Sequence, residues 1–168
     1  MVKKSSVVVA FLTSLFSLSA FADRSLVRFE GGIGVIPVSR VAGDQNADGS
    51  FPNAVRNDVR GTPPGGQPWV IERLSADVRV NGFIRVDGRG LLLAGGNNVG
   101  LNGNQSVRAR LFCGNDAFDS ANLVPLDANG DFRIDDALSP QPPDPCLNPV
   151  LLIINPNGAW FAAGIPKQ

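Results

Sequence analysis

The chain has 168 residues, with fifteen Lys and Arg balanced by fifteen Asp and Glu, two Cys, and neither His nor Tyr. Without His, Ser-His-Asp and Cys-His nucleophile activation, imidazole-bound zinc or copper and a histidine pH switch are all excluded. The charge balance lacks the basic surface that a nucleic-acid partner requires to displace counterions.

The first 22 residues, MVKKSSVVVAFLTSLFSLSAFA, have a positive start at Lys3 and Lys4 and a short apolar run, Val7 to Leu18. Ala20-Phe21-Ala22 then supplies the small-x-small pattern of a signal-peptide cleavage site. The run is too short for a bilayer-spanning helix, so no membrane span is expected after cleavage. Residues 23–168 are then one exported domain, periplasmic or secreted, in which twelve Arg and Lys167 face fifteen acids, a net of −2. Gly, Pro, Asn and Asp are abundant while Glu and Lys are scarce, which favours strands joined by turns over helices.

The first strand signal is SLVRFEGGIGVIPVS, residues 25–39, where Gly31, Gly32 and Gly34 predict a bulge or a close backbone contact. A polar stretch follows, near 40–67, and it opens with GDQNADGSFP. The spacing of Asp44, Asn46, Asp48 and Gly49 matches the start of a calcium loop, but the twelfth position is Val55 where a bidentate carboxylate belongs. An Asx-type turn is the simpler reading, with calcium on Asp44, Asn46, Asp48 and Asp58 as the alternative. No other cofactor is implied.

In PWVIERLSADVRVNGFIRVDG, Val78 and Val80 alternate with charged residues, as do Ile84 and Val86. Cross-strand partners share a face, so a two-residue turn would set Val78 against Arg85. A three-residue turn, Val80-Asn81-Gly82 with Gly82 left-handed, pairs Val78 with Ile84 and Asp77 with Arg85. The same parity applies to VPLDANGDFRI, giving a hairpin around Ala128-Asn129-Gly130 with Asp127 opposite Asp131. In LLIINPNGAWFAAGI, Pro156 and Gly158 likewise fit a turn. That last pair of strands is apolar on both faces. Either the long loops cover its outer face, or the 150–165 hairpin joins a second copy in a homo-oligomer. QSVRARLFC puts Val107, Ala109 and Leu111 on one face. Cys113 at its end and Cys146 before the last hairpin are expected to form a disulfide, closing a loop of about 34 residues worth roughly 3–4 kcal/mol.

Carboxylates could serve a hydrolase, with Glu30, Glu72, Asp135 and Asp136 as candidates, but adjacent strand residues such as Asp135 and Asp136 point to opposite faces. GRGLLLAGGNNVGLNGNQ lacks the Lys-Ser/Thr of a phosphate loop and reads as a compact connection or a ligand loop. Trp69 and Trp160 are candidate sugar-stacking platforms, although their apolar flanks favour the core.

The segments GGIGVIPVSRVAG, ADVRVNGFIRVDGRGLLLAGG, LFCG, GDFRIDDALSPQPPDPCLNPVLLI and WFAAGI resemble a family of small secreted bacterial proteins with no assigned activity. That resemblance implies secretion and paired cysteines. A fainter similarity is to the chordin-type domain, a β-sandwich. The expected architecture is a single antiparallel β-sandwich of about seven to nine strands, immunoglobulin-like in outline. The expected function is that of an exported, non-catalytic structural or binding protein. The alternatives are a carbohydrate-binding module and a carboxylate-dependent extracellular hydrolase.

Overall fold

A computed structural model describes residues 24–167, so the 1–22 leader lies outside the described residues. Alternation of apolar and charged residues produces strands throughout: β1 (Ser25–Gly34), β2 (Val38–Ala42), β3 (Asn53–Arg56), β4 (Trp69–Val70), β5 (Arg73–Arg79), β6 (Phe83–Arg89) and β7 (Leu92–Leu93). They are followed by β8 (Ser106–Cys113), β9 (Asp116–Ser120), β10 (Val124–Pro125), β11 (Phe132–Ser139), β12 (Val150–Ile154) and β13 (Trp160–Pro166).

The chain is all-β, but the sandwich is replaced by a barrel. Eight strands pair antiparallel in the order β8-β12-β13-β1-β5-β6-β11-β9, and β9 pairs back onto β8 to close the ring, with β10 added to the start of β8. Closure runs through one short strand: Phe118 faces Leu111 on β8, while Ser120 faces Leu138 on β11. A sandwich and a barrel share the same local alternation, and only this non-local pairing separates them.

An eight-stranded barrel is just wide enough for side chains to fill. One inward row runs Phe29, Ala76, Val86, Ile134 across β1, β5, β6 and β11, all at most 6 % exposed. Opposite it, Leu111 of β8 pairs with Leu151 of β12, which pairs with Gly164 of β13, which pairs with Gly32 of β1. Glycines keep this cross-section narrow. A methyl at Gly164 would come within 3.2 Å of both Phe29 and Leu151, and one at Gly32 within 2.8 Å of Leu74.

The local turns form as the alternation predicts. Val78 pairs with Ile84 and Asp77 with Arg85, around a three-residue turn in which Gly82 has φ +83°. Asn155 N donates to Ala159 O and Gly158 N to Asn155 O, the same geometry in the last hairpin. The β1 glycines do both things expected of them. The β1–β13 register shifts between Phe29 and Gly32, where Gly31 has φ +90°, and Gly34 lies against the Trp69 backbone.

The hairpin expected in VPLDANGDFRI is only half present. Its turn forms, with Asp127 N donating to Asp131 O, but Val124–Pro125 pairs with β8 while Phe132–Ser139 pairs with β6 and β9.

The polar 40–67 stretch is ordered. Its first part is the exposed β2–β3 hairpin, and residues 57–66 then cross the outside of the barrel. There Pro63 O accepts from Trp160 N, Gly65 N donates to Trp160 O, and Asn57 O accepts from the Trp160 indole at 3.0 Å. The Arg110 guanidinium donates to the buried Thr62 hydroxyl. Arg60 donates to the carbonyls of Gly114 and Asn148 and sits 5.5 Å above the Phe112 ring. Leu152 and Ile154, on the outer face of the last hairpin, are therefore fully buried within one copy of the chain. Cys113 and Cys146 form a disulfide that ties the end of β8 to the approach to β12.

Candidate functional site

The outside of β1, β5, β6 and β11 carries alternating charge. One row reads Arg28, Asp77, Arg85, Asp135 in directly paired positions, and the next reads Glu30, Ser75, Asp87, Arg133. The small Ser75 side chain leaves a groove of about 300 Å³ among these long neighbours, with Lys167 at its end. A lipid-spanning barrel needs the reverse pattern, an apolar band outside. No helix among the described residues is long and apolar enough to cross a membrane.

These charges neutralise one another. Asp135 accepts from Arg133 and Arg85, both at 2.6 Å, and these bonds hold its carboxyl below the usual carboxylate range. Lys167 holds Glu30 low in the same way. Asp119 accepts from Arg110 at 2.7 and 2.8 Å, and Arg108 reaches the same carboxylate at 3.8 Å. A general acid requires the opposite environment, burial that raises the pKa. Asp136 points away from Asp135 and accepts from Asn122 N at 2.8 Å.

The calcium-like spacing forms a hairpin turn between β2 and β3. Asn46 N donates to Ser50 O and Gly49 N to Asn46 O, with Gly49 at φ +85°, repeating the three-residue geometry of the other turns. Asp48 accepts from both the backbone and the hydroxyl of Ser50, which lowers its pKa, and Asn46 donates to the same hydroxyl. Asp58 pairs with Arg56 at 3.0 Å. Asp44 is exposed beside this turn. At the second acidic turn, Asp127 accepts from the N–H groups of Asn129 and Asp131, and Asp131 accepts from Gly90 N. Backbone donors thus perform there the charge relief a cation could supply. No three His, Cys, Asp or Glu side chains converge among the described residues.

The two tryptophans are core residues, at 5 % and 4 % exposure, and a sugar cannot stack on either face. Trp69 lies against Phe161 with centroids 4.1 Å apart and planes 13° from parallel. Trp160 is held under the 57–66 strap. The edge of Trp69, however, lines a cleft of about 280 Å³ between that strap, the 94–105 connection and the 155–159 turn. Gly65 forms one wall: a methyl there would meet the Phe161 ring at 2.9 Å and the Trp69 indole nitrogen at 3.3 Å. Gln67, Gln105 and Asn155 supply the polar rim. Trp69 is legible in the sequence as a candidate, whereas these three amides lie far apart along the chain and converge only through the fold. The hint was the glycine- and asparagine-rich connection, read as a compact linker or ligand loop. No protein-family model, curated protein or solved structure matches the chain.

Proposed function

We propose that the chain is an exported, non-catalytic binding module, a disulfide-stapled barrel that makes its contacts from the outer surface. The filled interior carries this reading: the rows through Phe29 and Leu111 occupy the space in which a ligand-carrying barrel holds its cargo. The disulfide suits an oxidising compartment and agrees with the leader pattern of residues 1–22. Carboxylates held low by arginine and lysine suit a charged, solvated surface better than acid–base chemistry.

Expression of the full chain in a bacterial host, followed by osmotic-shock fractionation and intact-mass measurement, tests the reading. The expected product starts at Asp23, is absent from the cytosol and resists thiol alkylation without reductant. Unprocessed cytosolic protein with two alkylatable thiols would overturn it.

A further inference from the structure

We infer that the cleft beside Trp69 binds a neutral, polyhydroxylated ligand, a single sugar ring, through the indole edge and the amides of Gln67, Gln105 and Asn155. This rests on the binding-module reading and names its ligand class. No charged side chain lines the cleft, so an ionic ligand would be desolvated there without compensation. A purely apolar ligand would strip water from polar groups that nothing then satisfies.

Those groups are available. The Trp69 side chain is almost wholly buried, yet no described residue accepts from its indole N–H, which borders Gly65 in the cleft wall. Asn155 Oδ1 already accepts from the N–H groups of Asn157 and Ala159, so its amide NH₂ is the end left free to donate. Gln105 is oriented the other way: its NH₂ donates to Gly103 O, leaving its carbonyl to accept. The Gln67 amide is exposed and makes no hydrogen bond with the described residues. Fixed donors beside a fixed acceptor suit hydroxyl groups, each of which can both donate and accept.

Size and backbone chemistry narrow the choice further. The cleft, about 280 Å³, holds roughly nine water volumes, enough for one ring. A peptide held by strand addition needs free main-chain groups. Around this cleft Trp69 N is committed to Val35 O, Gly65 N to Trp160 O and Leu93 N to Leu101 O.

The chain contains only two tryptophans, so its nitrogen–proton correlation spectrum has two indole signals, and Trp160, bonded to Asn57 O, is the internal control. The purified 23–168 protein is titrated with glucose, galactose, mannose and N-acetylglucosamine, and with glucuronate and glucosamine as charged counterparts. At least one neutral sugar moves the Trp69 signal saturably while Trp160 stays fixed, and the charged pair binds more weakly. Gln67→Ala, which removes no bond within the protein, weakens that sugar about fivefold, the loss of one neutral hydrogen bond. Trp69→Phe keeps the stack on Phe161 and weakens it similarly, read from the Gln67 and Gln105 side-chain amides. A Trp69 signal that no neutral sugar moves, indole signals that move together, or Gln67→Ala binding like wild type would each overturn the inference. An exported chain whose Trp69 signal stays put would sink the sugar site alone and leave the export reading standing.

Discussion

Replacing Gly88 by Ala tests the packing of the barrel interior at a tight contact between a glycine and an aromatic ring. Gly88 faces inward between Leu74 on β5 and Phe132 on β11, directly paired with both. A methyl there would overlap Cε1 and Cζ of the Phe132 ring and lie 2.9 Å from its Cδ1. Gly88 has no left-handed φ, so the backbone accepts Ala without strain and the whole penalty is steric. Overpacking of this kind costs about 1–3 kcal/mol, despite the better strand propensity of Ala. Phe132→Leu alone costs about 1–2 kcal/mol for the lost ring volume. Leu vacates part of the space the methyl needs, so the double variant loses at least about 1 kcal/mol less than the two single losses together. Urea melts at unchanged slope resolve this, since 2 kcal/mol moves the midpoint by about 1 M. A neutral Gly88→Ala, or strictly additive losses, would refute the packing of Phe132 over Gly88.

Three further outcomes follow from the same structure. Reducing the Cys113–Cys146 bond, which spans a separation of 33 residues, lowers unfolding stability by about 3–4 kcal/mol in urea melts with and without reductant. Because Arg133 and Arg85 lower the folded-state pKa of Asp135, its contribution is present above the unfolded carboxylate value of about 3.9 and is lost as pH falls through the folded value. Asp135→Asn is therefore less stable than wild type at neutral pH, and the gap closes in acid; a gap independent of pH would contradict the pairing. Millimolar calcium leaves the melting temperature unchanged, because Asp48 and Asp58 are already satisfied by Ser50 and Arg56; a concentration-dependent rise would restore the calcium reading.

What the sequence made legible was local. The alternation alone places Val78 on Ile84, because a one-residue slip would turn Val78 and Val80 out to water. The same three-residue turn recurs at Gly49, Gly82, Gly130 and Gly158, so the Asp44–Gly49 spacing forms the turn that its Asn, Asp and Gly residues predict. What stayed hidden was non-local. The closing strand Asp116–Ser120 has one large apolar residue, Phe118, and reads as a continuation of a loop. Its pairing with β11 depends on the tilt of the other seven strands. The partner of Val124–Pro125 was hidden for the same reason: the turn at Gly130 was local, while the choice of β8 over β11 was not. The strap over Trp160 and the amides beside Trp69 likewise meet through the fold and through no sequence spacing.

Whether the sheet closes into a ring is decided at β9. The Cα atoms of opposed residues on antiparallel strands lie about 4.5–5.5 Å apart, which brings their protons close enough for a nuclear Overhauser effect. In isotope-labelled protein, β9 is predicted to give cross-strand signals on both edges, Phe118 with Leu111 of β8 and Ser120 with Leu138 of β11. Signals to β8 with none to β11 would mean an open sheet and would contradict the barrel.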